Sequence, residues 1–368
     1  MTAGPRVLVM AGGTGGHVYP ALALADELIA RGCRVEWMGT RRGLEARVVP
    51  GAGIPLHCLS VRGVRGKDLW HKLTGLAYLA LASLQALWLM LRLWPRCVVG
   101  MGGYAAGPGG VAAWLLRRPL LIHEQNAIAG TTNRMLAPLA RRVLTGFPTD
   151  FRKAVACEVV GNPLRKALLD AASDEDAAGA ETALHLLVLG GSLGAKPIND
   201  LMPEAVRRLL DELGPGALKV RHQAGNDHAD VVAAAYGDLA SKMAGVVEVM
   251  AFCEDMPDAY RWADLVVCRA GALTVSELAV MAKPAILIPL PHAIDDHQSA
   301  NARYLSDEGA GLLRPQAGLN AEALAEEVAR LAAEPELLAA MAAKARILGR
   351  PEATMTVADH CQELSHGR

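Results

Sequence analysis

The sequence shows no excess of charge, no paired-cysteine motif and neither of the two commonest phosphate-binding fingerprints. Each absence removes a class of function. With 37 Lys and Arg against 38 Asp and Glu, the formal net charge is −1. No global field therefore recruits nucleic acid, and any attraction to a membrane must come from local patches. Seven cysteines, at 33, 58, 97, 157, 253, 268 and 361, are odd in number and never spaced C-x-x-C. That pattern argues against a disulfide framework and a thiolate zinc site, and it fits a reducing cytoplasm. The P-loop string G-x-x-x-x-G-K-S/T does not occur, which removes P-loop kinases. G-x-G-x-x-G is absent as well: counted from Gly13 its third glycine position holds Val18, and counted from Gly190 its second holds Ser192. The run Met38-Gly39-Thr40-Arg41-Arg42 closes the second strand without the acidic residue that grips an adenine ribose, so a nicotinamide-dependent dehydrogenase is disfavoured. A strand beginning by residue 6 leaves no room for a charged leader and an apolar signal core, and the sequence predicts a protein that is not exported.

What is present is apolar: 52% of the 368 residues are hydrophobic, ample for two cores. Short apolar runs at 6–11, 34–38, 97–100, 119–123, 142–145, 184–189, 218–222, 246–250, 264–268 and 285–289 alternate with helix-like stretches. This is the pattern of parallel α/β sheets, whose ligands bind beyond the carboxyl ends of the strands. Two glycine turns, Gly12-Gly13-Thr14-Gly15-Gly16-His17 and Gly190-Gly191-Ser192-Leu193-Gly194-Ala195, each follow such a run and each precede a helix-like segment. Glycine permits the tight turn and lets backbone N–H groups approach phosphate or sugar oxygens at a helix N-terminus. Gly161-Asn162-Pro163 reads as a joint and 171–176 as a solvated acidic loop. Domains are expected over 1–162 and 163–345, with a C-terminal helix, 346–368, packing back on the first.

Six strings occur in order: GGTGGHVYPALALA (12–25), GMGGYAAGPGG (100–110), HEQNAIAG (123–130), GNPLR (161–165), GGSLGA (190–195) and CRAGALTVSEL (268–278). Together they closely resemble the MurG family. The resemblance implies a GT-B architecture, two Rossmann-like domains facing across a cleft. It implies an inverting enzyme that moves GlcNAc from UDP-GlcNAc to the MurNAc 4-hydroxyl of undecaprenyl-pyrophosphoryl-MurNAc-pentapeptide, turning lipid I into lipid II for peptidoglycan. It further implies no cofactor and no metal, a peripheral position on the cytoplasmic face of the inner membrane with its anionic lipids, and other cell-wall and division proteins as partners. A UDP-GlcNAc 2-epimerase of the same fold and a non-catalytic UDP-sugar-binding protein are the alternatives.

His17, at a helix N-terminus, suits a base for the acceptor hydroxyl, against a capping or solvated histidine. Thr14, Gly15 and Gly16 offer N–H and hydroxyl groups to acceptor or diphosphate, or form only a turn. Ala272, Leu273, Thr274, Val275 and Ser276 open a helix whose N–H groups and dipole suit the leaving diphosphate. Glu277, by the resemblance, binds the ribose hydroxyls; otherwise it is a helix-dipole partner and Thr274 a cap. Ala270 and Leu193 replace the serine and glutamine common in relatives. Arg165 and Ser192 supply a cation and a hydroxyl to the phosphates. Cys253 resembles the uracil pocket through its main chain, and Phe252 suits base stacking or ordinary core equally. Asn126 and Gln298 are expected on the GlcNAc hydroxyls. Asp295, Asp296 and His297 look like metal ligands, but neighbours on an extended loop point apart. Gly102, Gly103 and Tyr104 are expected to line the acceptor groove, and Arg62, Arg65 and Lys67 to meet the lipid pyrophosphate, or to form a solvated loop.

The stretch from Leu73 to Trp94 carries nine leucines, two tryptophans and a single charge, Arg92. By length it could span a bilayer. A single span would, however, put the 12–17 and 100–104 loops of one sheet on opposite sides. The expectation is therefore a helix that is part core and part membrane-contacting surface beside the basic 62–72 segment, with Tyr78, Gln85 and Arg92 as a narrow polar stripe.

Overall fold

The computed structural model describes all residues except 1–3, 62–68, 150, 152–154, 175–182, 192–193, 215, 238–244, 292–295 and 368; of residues 69–74 it describes the backbone alone. The chain forms two units, 1–165 with 350–368, and 166–349.

The first unit is built on a seven-stranded sheet of β1 (Arg6–Ala11), β2 (Arg34–Thr40), β3 (Leu56–Leu59), β4 (Cys97–Gly102), β5 (Leu120–Glu124), β6 (Arg142–Thr145) and β7 (Glu158–Val159). The order is β3-β2-β1-β4-β5-β6-β7, and every pairing is parallel. Parallel strands carry helices on both faces, so β1 is continuously apolar and buried from Val7 to Ala11 rather than alternating. Val7 and Val9 enter one core with Val18, Leu24 and Leu28 of α1 (Gly15–Ala30). Leu8 and Met10 enter the opposite core with Ala82, Ala86 and Met90 of α2 (Leu69–Leu93) and Ala112 of α3 (Ala106–Leu115).

The second unit has six parallel strands, β8 (Leu184–Leu189), β9 (Leu218–Gln223), β10 (Val247–Met250), β11 (Leu265–Cys268), β12 (Ala285–Leu287) and β13 (Gly311–Leu313), in the order β10-β9-β8-β11-β12-β13. The helices that frame its site are α4 (Lys196–Leu213), α5 (Met256–Trp262), α6 (Ala272–Val280) and α7 (His297–Ser306). An apolar core under one face of β8 and β9 collects Leu186, Val188, Ile198, Met202 and Val220, and Leu187, Val266, Val275 and Leu278 are fully buried as well.

The divisions fall three and four residues beyond the expected 162 and 345. Asn162 donates to the Gln125 carbonyl, and the Leu164 N–H and C=O both bond the Thr354 hydroxyl, which ties 162–165 to the first unit. The terminal helix α8 (Ala353–Ser365) packs on α1 and β4 of that unit, with Val357 and Cys361 in its core and Arg31 paired to Asp359. Residues 171–173, expected in a loop, close a helix Lys166–Ser173.

Candidate functional site

In each sheet the strand order reverses at one place, between β1 and β4 and between β8 and β11. There successive connections leave to opposite faces and open a crevice beyond the carboxyl ends of the strands. The strings after β1 and β4 and those after β8 and β11 are the ones singled out in the sequence.

In the first unit Gly13 has φ +95° and turns the chain from β1 into α1. Thr14 occupies the N-cap without a side-chain capping bond, so the His17 ring is not a cap. Instead His17 Nδ1 lies 2.8 Å from Gln125 Oε1. Gly102, at φ +104°, brings the end of β4 against that ring: a Cβ there would stand 2.9 Å from His17 Cε1. At Gly103 (φ +87°) a Cβ would meet the Gly12 carbonyl oxygen at 2.4 Å. Only glycine admits both the dihedral and the approach. Tyr104 projects outward, 57% exposed. Arg165 is exposed, its guanidinium 5.9 Å from the Tyr19 ring centre, and so stands beside α1 rather than in the second unit. Asn126 also belongs to the first unit, where its N–H and amide nitrogen donate to Glu124 Oε1. Residues 62–68, with Arg62, Arg65 and Lys67, lie outside the described residues, as do Ser192, Leu193 and Asp295.

Two buried carboxylates hold these loops: Glu45 lies outside every motif string, and Glu124 lies within the string 123–130 without being among the candidate residues. Glu45, fully buried, accepts from Gly13 N–H (2.9 Å), Thr40 N–H (2.9 Å) and the Thr40 hydroxyl (2.7 Å). Glu124, 1% exposed, accepts from Asn126, Gly130 and Asn133. Burying a carboxylate is costly unless hydrogen bonds replace water, and here several N–H donors do so.

In the second unit Gly191 (φ +77°) and Gly194 (φ +75°) make the turn between β8 and α4, and a Cβ at Gly194 would meet the Ala224 carbonyl at 2.2 Å. Gln223, at the end of β9, donates to the carbonyls of both Gly191 and Ala251 and so draws the glycine turn to the Phe252-Cys253 loop. Phe252 is 53% exposed, which removes the core alternative. Cys253 is buried, its Sγ 3.5 Å from the Asp255 carbonyl, and burial pushes its thiol up. Helix α6 starts at an N-cap Gly271, not at Thr274. The N–H groups of Ala272, Leu273 and Thr274 therefore have no partner in the helix. Val275 differs: its N–H bonds the Gly271 carbonyl and its side chain is fully buried. Ser276 is buried too. The diphosphate contact expected of these two residues has no open donor at Val275, because the helical ladder has already begun there. Glu277 accepts from the hydroxyl of buried Tyr260 at 2.9 Å. Ala270 is buried, and its carbonyl accepts from Asn301. Gln298 Oε1 accepts from Leu290 N–H at 2.9 Å, which directs its amide nitrogen away from that bond. Asp296, the N-cap of α7, accepts from the Ser299 hydroxyl. Among the described residues no three His, Cys, Asp or Glu side chains converge as metal ligands.

Both halves of the chain match glycosyltransferase family 28: the N-terminal domain over residues 7–145 and the C-terminal domain over 185–364. A relative from Pseudomonas paraeruginosa is 51% identical over 363 residues, spanning 98% of this chain and 99% of its own length. One from Pseudomonas entomophila is 52% identical, spanning 99% of each. Both are named UDP-N-acetylglucosamine–N-acetylmuramyl-(pentapeptide) pyrophosphoryl-undecaprenol N-acetylglucosamine transferase. The crystal structure of Acinetobacter baumannii MurG is similar over 98% of this chain and 99% of its own, with a TM-score of 0.81 and 39% identity. A UDP-N-acetylglucosamine 2-epimerase shares the fold at a TM-score of 0.67, with 15% identity.

Proposed function

Because the chain belongs to glycosyltransferase family 28, we propose that it transfers GlcNAc from UDP-GlcNAc to the MurNAc 4-hydroxyl of an undecaprenyl-pyrophosphoryl-MurNAc-pentapeptide, with inversion at the anomeric carbon. The observation that carries this reading is identity of about half the residues with the named transferases over nearly the whole length of the chain. The donor lies at the second unit. Glu277 takes the ribose hydroxyls, Phe252 and the Cys253 main chain take the uracil, and the open N–H groups of Ala272, Leu273 and Thr274 take the diphosphate, where the helix dipole favours negative charge. Ser192 adds a hydroxyl to the phosphates, and Gln298 and Asn126 meet the GlcNAc hydroxyls. The acceptor lies at the first unit against Gly102, Gly103 and Tyr104. His17 takes the proton of the attacking hydroxyl, Thr14, Gly15 and Gly16 present the loop N–H groups, and Arg165 offsets the charge that grows on the departing UDP.

The enzyme works at the cytoplasmic face of the membrane, held peripherally. Leu76, Leu84, Trp88 and Leu91 on α2, with Trp94 at its end, are more than half exposed, as are Trp114 and Leu115 on the adjoining α3. Arg92 lies over Trp88 and Arg118 over Trp94, placing cations at the border of that apolar surface. Basic residues beside exposed tryptophan and leucine match an anionic lipid interface.

Incubation with labelled UDP-GlcNAc and a short-chain lipid I analogue is expected to yield a disaccharide lipid and UDP. Labelled UDP-ManNAc without any lipid product would establish the epimerase instead, and neither product would leave a binding protein. In the same assay His17→Ala lowers kcat roughly 10²- to 10⁴-fold with little change in donor KM.

A further inference from the structure

We propose that His123 and Gln125 act as positioning residues that lock His17 in its Nδ1–H form, so that Nε2 carries the lone pair that accepts the acceptor proton. The inference rests on His17 being the base in the reaction above. It follows from the direction of a buried hydrogen-bond chain whose far end has only one permitted sense.

The chain begins at the carbonyl of Gly161. His123 Nε2 lies 2.9 Å from that oxygen, which can only accept, so Nε2 bears the hydrogen. His123 is fully buried, and desolvation pushes its pKa down to about 4, so the ring is neutral and Nδ1 is an acceptor. Gln125, also fully buried, places its amide nitrogen 3.1 Å from His123 Nδ1 and 3.1 Å from the His123 carbonyl. Both of those atoms accept. The opposite amide orientation would set Oε1 against two acceptors in a fully buried site, where an unmade hydrogen bond is costly, so the NH₂ must face His123. Gln125 Oε1 is then the atom 2.8 Å from His17 Nδ1, and a carbonyl-type oxygen demands a hydrogen there. The polarity fixed by Gly161 is thus handed over two side chains to His17. Among the described residues no side chain or backbone group is bonded to His17 Nε2.

In the reaction, His17 Nε2 takes the proton as the acceptor oxygen forms its bond to the anomeric carbon. The bond from that carbon to the UDP oxygen breaks, and its electron pair leaves with UDP. His17 becomes an imidazolium whose Nδ1–H still points at Gln125 Oε1, so the charge develops against a dipole already in place. The other tautomer would present an N–H to the hydroxyl and could not act as the base.

Full-length protein labelled with ¹⁵N-histidine tests this by long-range ¹H–¹⁵N correlation at a pH where the ring is neutral, with His17→Ala assigning the signals. The expected spectrum shows a protonated Nδ1 and an unprotonated Nε2 at His17. In Gln125→Leu the Nε2–H form should gain population. Its kcat should fall on the order of 10²-fold, with the UDP-GlcNAc KM changed less than about twofold. An Nε2–H tautomer in the wild-type protein overturns the relay, and that spectrum decides alone if the Gln125 variant does not fold. A folded Gln125→Leu that keeps both the Nδ1–H form and its turnover overturns it as well. Normal turnover by His17→Ala would instead overturn the role of His17 as base, a separate outcome from a wrong tautomer.

Discussion

At the scale of single residues, the positions proposed to bear chemistry are held by others with no proposed role of their own. Glu277 is aimed by Tyr260, a phenol buried under α6 whose hydroxyl donates to the carboxylate. Burial and the adjacent Glu277 charge hold that phenol well above its ordinary pKa, so it remains a donor at any working pH. In the proposed donor site a carboxylate fixed in this way would lose little rotamer freedom on accepting two ribose hydroxyls. Glu277→Ala is expected to weaken UDP and UDP-GlcNAc alike, by about 1 to 3 kcal/mol for lost charge-assisted hydrogen bonds. Calorimetry with UDP checks it; a folded variant with unchanged UDP affinity would place the ribose elsewhere.

At the scale of elements, α2 shows how a helix of bilayer length can belong to a sheet. It connects β3 to β4, two parallel strands of the same sheet, so both of its ends are tied to that sheet. Ala82, Ala86, Leu89, Met90 and Leu93 form its buried stripe, while Leu84, Trp88 and Leu91 face outward. Within the expected polar stripe, Gln85 accepts from Ser60 N–H and Arg92 covers Trp88, so neither forms an open hydrophilic face. Alkaline carbonate should therefore release the protein from vesicles of anionic lipid. Trp88→Ser with Trp114→Ser should weaken vesicle binding, and Arg118→Glu should cost about 1 kcal/mol or more of attraction. Retention through carbonate would mean a spanning helix, and unaltered co-sedimentation of both variants would move the contact to another surface.

At the scale of the whole molecule, each unit carries a buried neutral histidine, and the pair makes stability depend on pH. His123 in the first and His222 in the second are both pushed down to about 4 by burial. His222 faces the Tyr236 hydroxyl and Asn199 Oδ1, and among the described residues no carboxylate pairs with it. An unfolded imidazole titrates near 6.5, so between there and about 4 the unfolded chain binds protons that the native chain refuses. The stabilisation is complete above about pH 6.5 and is lost as pH falls through the native value, on the order of 3 kcal/mol for each group. Tm followed by circular dichroism should fall over this window, and less steeply in His222→Gln. A Tm flat across it would contradict the burial of neutral imidazoles.

Most of both sheets is legible in the sequence because a buried parallel strand is a local apolar run and a glycine turn a local string. The three strands that escape it, β3, β7 and β13, all lie at sheet edges. β3 has four residues, β7 two and β13 three, and they are only partly buried or exposed, so they lack the continuous apolar run by which the equally short, fully buried β12 stands out. The glycine turns, the helix at 272 and the candidate residues His17 and Glu277 are equally local, and the sequence alone determined them, together with the fold class and the family they resemble. Only the tertiary structure decided how those residues are oriented. Gln125 meets His17 across 108 positions and Tyr260 meets Glu277 across 17, and Glu45 reaches back 32 to hold Gly13. The physical reason is that a hydrogen bond's direction depends on where the donor and acceptor lie in space. No spacing along the chain records that the carbonyl of Gly161 sets which nitrogen of His17 holds a proton.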